Sequence, residues 1–182
     1  MRIFFAIILI LGFCHCNSIT ATSLSISSGT GLDDTLIQSG DISSTSANGL
    51  LFSTALIDEI DFCFELKFDL LLEFAGYKLK GNHNDLSEEM DIYQIKPKLR
   101  WRSESNYYLD IGLGVASLGE DHWEEVKYNG TTNFALSFAL GWSFGEQDQV
   151  FLDLVYNHYS NGYTRSPNPG LDFVTLNLGY VF

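Results

Sequence analysis

Near the end of the chain, His158, Ser160 and Asp172 fall within fifteen positions, in the segments His158-Tyr159-Ser160-Asn161-Gly162 and Pro167-Asn168-Pro169-Gly170-Leu171-Asp172. They supply a base, a hydroxyl nucleophile and a carboxylate, the parts of a serine-type carboxylic ester hydrolase. On extended chain, residues two apart point to one face, so His158 and Ser160 share a side. A stretch rich in Asn, Gly and Pro separates them from Asp172 and reads as a turn. If Asp172 opens the next antiparallel strand, all three can meet. His158 would then accept the Ser160 proton as that oxygen attacks an ester carbonyl, while Asp172 fixes the imidazole tautomer. Asn161 and Asn168, or nearby backbone N–H groups, are candidate donors to the oxyanion. His-x-Ser alone is a common triplet, so the elements that carry it decide its weight.

Those elements have a period of two from about residue 23 onward. In Phe62-Cys63-Phe64-Glu65-Leu66-Lys67-Phe68-Asp69-Leu70 the even positions are large and apolar, and Glu65, Lys67 and Asp69 take the other face. Tyr93, Ile95, Leu99 and Trp101 alternate with Gln94, Lys96, Lys98 and Arg100. Phe134, Leu136, Phe138, Leu140, Trp142 and Phe144 alternate with smaller residues. The pattern predicts about eight strands, near 23–31, 47–57, 62–80, 91–102, 106–118, 131–145, 149–162 and 171–182. Short connections near 58–61, 103–105 and 145–149 alternate with longer ones near 32–46, 81–90, 119–130 and 163–170. That alternation is expected of an all-β, eight-stranded antiparallel transmembrane β-barrel of the outer-membrane type, with both termini at the periplasmic end. A soluble lipocalin-like barrel is the alternative.

The sidedness follows from the chemistry of the two faces. A barrel of this size has interior room only for side chains. Lys67, Lys96, Lys98, Arg100, Glu65, Asp69, Asp110 and Asp153 suit such an interior as pairs, and the Phe, Leu, Trp and Tyr face then meets lipid. Pro97 lacks a ladder donor and predicts a local bulge. Leu176, Leu178, Tyr180 and Phe182 alternate to an aromatic end, resembling the C-terminal assembly signal of bacterial outer-membrane barrels.

Composition agrees. Hydrophobic residues make up 46% of the 182, aromatics 14% and charged residues only 18%, below the usual share for soluble domains. The mean hydropathy of +0.05 is too low for a helical membrane protein. Arg2 followed by apolar Ile3 to Phe13 reads as a signal peptide over 1–21, cleaved between 16 and 22, leaving the barrel at 22–182. Cys14 and Cys16 leave with it. Cys63 then remains alone, a small strand residue without a disulfide partner. A net charge of −13 argues against nucleic acid. Much of the acid lies in stretches read as solvated loops, including Asp85, Glu88, Glu89, Glu120, Asp121, Glu124 and Glu125. None has the spacing of a calcium loop, and His83 and His122 lack ligand spacing. Gly112 and Gly114 read as interior packing.

Parity then reaches the site. In the last two strands the even positions are the apolar, lipid-facing set, and His158, Ser160 and Asp172 are even. Polar groups on a face turned to acyl chains are costly, and make sense if the substrate is itself a membrane lipid. A girdle of polar residues at headgroup level is the plainer alternative. His-Tyr-Ser-Asn, the Pro-Asn-x-Gly turn and an acid fourteen residues after the histidine resemble the lipid A 3-O-deacylase family (PagL) over 158–172. The strand count and signal extend the resemblance loosely along the mature chain. It implies an outer-membrane enzyme of eight strands that removes an ester-linked, 3-O hydroxyacyl chain from lipid A. His158 would be its base and Ser160 its nucleophile, with Asp172 in the place of the family's glutamate. That acid is one methylene shorter, so a backbone or rotamer adjustment is expected. Asn161 and Asn168 match the family's asparagines. The implied partners are lipid A or lipopolysaccharide in the outer leaflet, with no cofactor and no metal. A homodimer is left open. A non-catalytic structural or adhesive barrel and an outer-membrane phospholipase are the competing functions.

Overall fold

The computed structural model describes residues 21–32, 45–61, 66–83, 86–123, 126–128 and 130–182. Residues 1–20 of the expected signal peptide, with Cys14 and Cys16, lie outside them, as do Cys63, Glu65, Asp85, Glu124 and Glu125. The strands are β1 (Thr22–Gly31), β2 (Ser46–Asp61), β3 (Lys67–His83), β4 (Leu86–Arg102), β5 (Tyr107–Leu118), β6 (His122–Trp123), β7 (Val126–Lys127), β8 (Thr132–Phe144), β9 (Val150–Ser160) and β10 (Leu171–Val181). Eight of them close an antiparallel barrel in the order β1-β10-β9-β8-β5-β4-β3-β2, and β6 pairs with β7 as a separate two-stranded hairpin. Closure comes from β1 pairing with β10, from Ser23 opposite Val181 to Gly31 opposite Phe173.

Alternation sorts the side chains. Outward positions expose Ile26, Leu50, Ile111, Leu113, Leu140, Leu154 and Leu176, each at about half or more of its surface. Aromatic pairs mark the end with short turns: Tyr107 stacks on Trp142 at 6.2 Å, Trp142 meets Phe144 at 5.0 Å, and Tyr180 meets Phe182 at 5.3 Å. An exposed apolar wall with aromatics at its rim is the surface of a barrel that spans a membrane. A soluble barrel would not leave it uncovered.

Charge fills the inside. Lys98 bridges Glu73 at 2.8 Å and Asp110 at 3.3 Å, Lys96 meets Glu73 at 3.2 Å, and Arg100 meets Asp110 at 2.7 Å. The Tyr108 hydroxyl donates to Asp153. Buried ions persist only when paired and hydrogen-bonded in this way. Glu73, on the inward register, completes the set and was not among the interior charges expected. Lys67 and Asp69 instead sit toward the short-turn end, where Lys67 pairs with Glu59 at 2.8 Å and Asp69 with Arg102 at 2.7 Å. Around Lys96, a Cβ on Gly112 or Gly114 would come within 2.9 Å of its side chain, which is the interior packing expected of those glycines.

Three expectations change. The turn expected at 58–61 belongs to β2, whose pairing with β3 slips at Ala55/Ile57 and again at Ile57/Ile60. These bulges blur the period that would mark a strand. The long loop expected over 81–90 is instead the tip of the β3–β4 hairpin. Cross-strand charges hold that tip, with Lys78 on Glu89 at 3.2 Å and Asp91 at 3.1 Å, and Lys80 on Glu89 at 2.5 Å. Pro97 makes no bulge. The β4–β5 register runs unbroken from Ile92 opposite Leu118 to Arg102 opposite Tyr108, and only the rungs at 96 and 97 lack pairing. Pro97 keeps its place opposite Leu72, so the absent donor falls on the β5 side.

Candidate active site

The site is built where β9 and β10 run together toward the long-loop end. Their register is continuous from Leu171 opposite Tyr159 to Tyr180 opposite Val150, which sets Asp172 directly across from His158. Residues of the opposite parity anchor these strands from inside. Tyr159 stacks on Phe173 at 5.5 Å, Phe173 meets Tyr77 at 5.1 Å, and the Tyr159 hydroxyl donates to Gln94 Oε1 at 2.8 Å. Gln94 in turn donates to Glu73 at 2.9 Å. Each residue of the candidate triad therefore has a chain neighbour locked into the barrel interior. The backbone of Asp172 is held too: Leu32 N–H donates to its carbonyl at 3.0 Å.

His158 Nδ1 lies 2.8 Å from Asp172 Oδ1. With an ionised carboxylate as acceptor, Nδ1–H donates, and a neutral ring then keeps its lone pair on Nε2, the tautomer a general base needs. Cross-strand opposition lets the shorter acid make this contact with no slip in the ladder. The same oxygen accepts a second hydrogen bond, from the Tyr156 hydroxyl at 2.5 Å. Tyr156, His158 and Ser160 follow one another on a single face, and Tyr156 is diagonal to Asp172 within reach of a long side chain. By parity alone Tyr156 belongs to the even, lipid-facing set of its strand. Parity and strand pairing together would have found it.

Ser160 sits one side-chain row above His158, opposite Phe134 on β8. No hydrogen bond joins its hydroxyl to His158 among the described residues. The pair shares a face without that hydrogen bond, a looseness common in sites without substrate. His158, Ser160 and Asp172 occupy the outward register, yet only 5%, 9% and 1% of their surfaces are exposed. The expectation that they project freely into lipid is thus replaced by a shielded row on the outer wall.

The turn after Ser160 is held by both asparagines. Asn161 N–H donates to Asn168 Oδ1 at 2.8 Å, and Asn161 Nδ2 donates to the Pro167 carbonyl at 3.0 Å. Gly162 follows with φ of 60°, where a Cβ would come within 2.8 Å of the Phe134 ring. Only glycine takes that backbone easily beside an aromatic. The Asn161 donors named here serve the turn. Asn168, anchored through its oxygen, carries its Nδ2 on the opposite branch of the amide.

Below the dyad the outer wall forms an open groove of about 420 Å³, lined by Leu109, Ile111, Phe138, Leu140, Leu154, Tyr156 and Val174 among others. A second apolar hollow of about 300 Å³ shares Leu109 and Ile111 and continues toward Trp101 and Leu66. From Ser160 down to Leu154 the strand runs roughly 20 Å at its usual rise. Away from this face, His122 is exposed beside Asp121 at 3.1 Å, and no group of three metal-ligating side chains occurs among the described residues.

The arrangement is thus a His–Asp dyad on the outer wall of an eight-stranded barrel, next to an apolar groove. A model of the lipid A 3-O-deacylase (PagL) family matches residues 67–181, which includes all of β9 and β10. The chain belongs to this family. Among PagL relatives, it is 28% identical over 86 residues to the lipid A deacylase PagL of Bordetella bronchiseptica, covering 47% of this chain and 47% of that protein. The chain spans about half the length of the curated relative it matches. The crystal structure of the outer membrane enzyme PagL superposes with a TM-score of 0.69 at 14% identity, over 87% of this chain and 98% of that one. The crystal structure of Ail, the attachment invasion locus protein of Yersinia pestis, gives 0.51 at 14% identity, over 90% and 99%. At such identities these two structures establish the shared barrel, and the family match singles out PagL.

Proposed function

We propose that this protein is a lipid A deacylase of the bacterial outer membrane, a serine-type esterase that removes an ester-linked, 3-O hydroxyacyl chain from lipid A in the outer leaflet. The observation that carries this reading is the His158–Asp172 hydrogen bond on the outward face, one row from Ser160 and directly above an apolar groove. The family and the Bordetella relative, both named for lipid A deacylation, support the substrate class. In this reading the long-loop end is extracellular, which sets the dyad at headgroup level and the groove at acyl depth.

The reaction follows from the groups in place. A side-chain rotation brings the Ser160 hydroxyl to His158 Nε2, which takes its proton as Oγ attacks the ester carbonyl. Asp172 keeps Nδ1 protonated and stabilises the imidazolium. Asn168 Nδ2 is the favoured donor to the oxyanion, because the Asn161 donors already serve the turn. As the acyl carbon–oxygen bond breaks, His158 returns its proton to the departing sugar oxygen. Water, activated by the same imidazole, then releases the hydroxy fatty acid from Ser160. Tyr156 and the leucines below it would receive the acyl chain, excluding water from the site.

Mass spectrometry of lipid A from cells with and without the protein tests this. Loss of one hydroxyacyl chain is expected, and Ser160→Ala and His158→Ala should each abolish it. An unchanged lipid A from a correctly inserted barrel would sink the reading and favour a structural or adhesive role. Lysophospholipid in its place would indicate a phospholipase.

A further inference from the structure

We propose that Tyr156 is a positioning residue, which holds the Asp172 carboxylate against His158 and links that pair to the acyl groove. The inference rests on the esterase reading above and adds a member to its machinery. It starts from a misfit between residue and place. Tyr156 projects from the outer wall, directly above Leu152 and Leu154 in the row that leads up to His158 and Ser160, where a phenol hydroxyl without a partner is unfavourable. Its hydroxyl instead donates to Asp172 Oδ1 at 2.5 Å, the oxygen that also receives His158 Nδ1–H at 2.8 Å. Two donors converging on one atom, from residues two apart on one strand, fix the position of that oxygen.

Asp172 has a short side chain with a broad terminal torsion. The hydrogen bond from His158 restrains the carboxylate at one contact. The second bond, from one row lower, adds a restraint on the same oxygen from a different direction. Hydrogen bonds to an ionised group are the stronger kind, all the more in a site as enclosed as this one, where Asp172 is 1% exposed. Meanwhile the Tyr156 ring forms part of the upper wall of the groove. An acyl chain lying there packs on the ring, shields the phenol–carboxylate bond from water and strengthens it. Filling the groove thus helps to set the base.

Tyr156→Phe in the full-length protein, reconstituted in vesicles containing lipid A, isolates the hydroxyl. The ring remains, so KM should stay within about twofold. Losing one hydrogen bond to a buried charge should lower kcat about ten- to a hundredfold. In an Asp172→Asn background the same substitution should cost less than about threefold, because the carboxylate it serves is gone. Tyr156→Leu should lower kcat as much and also raise KM. A Tyr156→Phe enzyme with wild-type kcat overturns the proposal. So does an equal loss in both backgrounds, since that marks a general structural effect. Ser160→Ala run alongside separates the two readings: full deacylation by that variant removes Ser160 as the nucleophile, and with it the serine-type mechanism on which this inference rests. Heat-modifiable migration on gels confirms that each barrel is folded before its rate is read.

Discussion

Replacing Asp172 with Asn gives the sharpest test of how the site works, because it preserves shape and removes only charge and acceptor symmetry. In the native arrangement Asp172 Oδ1 accepts from both His158 Nδ1 and Tyr156. The amide can enter this position in two ways. With its oxygen toward His158, Nδ1–H keeps a partner, but the imidazolium formed during proton transfer loses a buried counter-charge. A hydrogen bond to an ionised group exceeds a neutral one by about 1–2 kcal/mol, and removing the counter-charge adds to that loss, so a fall of about a hundredfold is the lower limit. With its amino group toward His158, Nδ1 must accept, the ring proton moves to Nε2, and the base is lost. The equivalent change in a serine protease lowers kcat by about 10⁴. Turnover should therefore fall by about 10²–10⁴, which is roughly 2.7–5.4 kcal/mol of barrier at 1.36 kcal/mol per tenfold. KM should change little, because the groove and turn are untouched. The assay is the initial rate of hydroxy fatty acid release from lipid A in vesicles, across substrate concentrations, with the folded fraction measured by heat-modifiable migration. A folded variant that keeps more than a third of wild-type turnover would remove Asp172 from the machinery and undo the argument from tautomer control.

Two further outcomes follow from the neighbouring geometry. Gly162→Ala forces a Cβ into left-handed backbone and against the Phe134 ring, which faces Ser160 across the ladder; activity should fall at least tenfold while the barrel still folds, and unchanged rates would show that the turn does not place Ser160. Leu154→Trp fills the groove about 13 Å below His158 along the strand, at the usual rise. It should cut hydrolysis of long acyl esters several-fold more than that of short ones, and an equal effect on both would argue that the chain lies elsewhere.

Much of this protein was legible in its sequence because a β-barrel writes its geometry in a two-residue period. Alternation between Phe134, Leu136 and Phe138 and their small neighbours gives both the strand and its outward face, and β8 follows that pattern throughout. The reading faltered where other forces interrupt the period. Two bulges disguise the end of β2, and charge pairs extend β3 and β4 through residues that look like loop. Pro97 shows the reverse, a residue expected to distort that an unbroken register absorbs.

At the site the division is equally physical. Parity alone put His158, Ser160 and Asp172 on one outward face, since side-chain direction in a strand depends only on odd or even position. Which acid meets which base is set by strand pairing, and pairing depends on where a turn of ten residues begins and ends. Only the folded barrel aligns Asp172 with His158, turns the Tyr156 hydroxyl onto the same carboxylate oxygen and draws the Asn161 donors into the turn. Those contacts run across the ladder rather than along the chain, so no local pattern encodes them. Burial is likewise tertiary: the sequence could say that the triad candidates face outward, and only the assembled wall decides that they are shielded there.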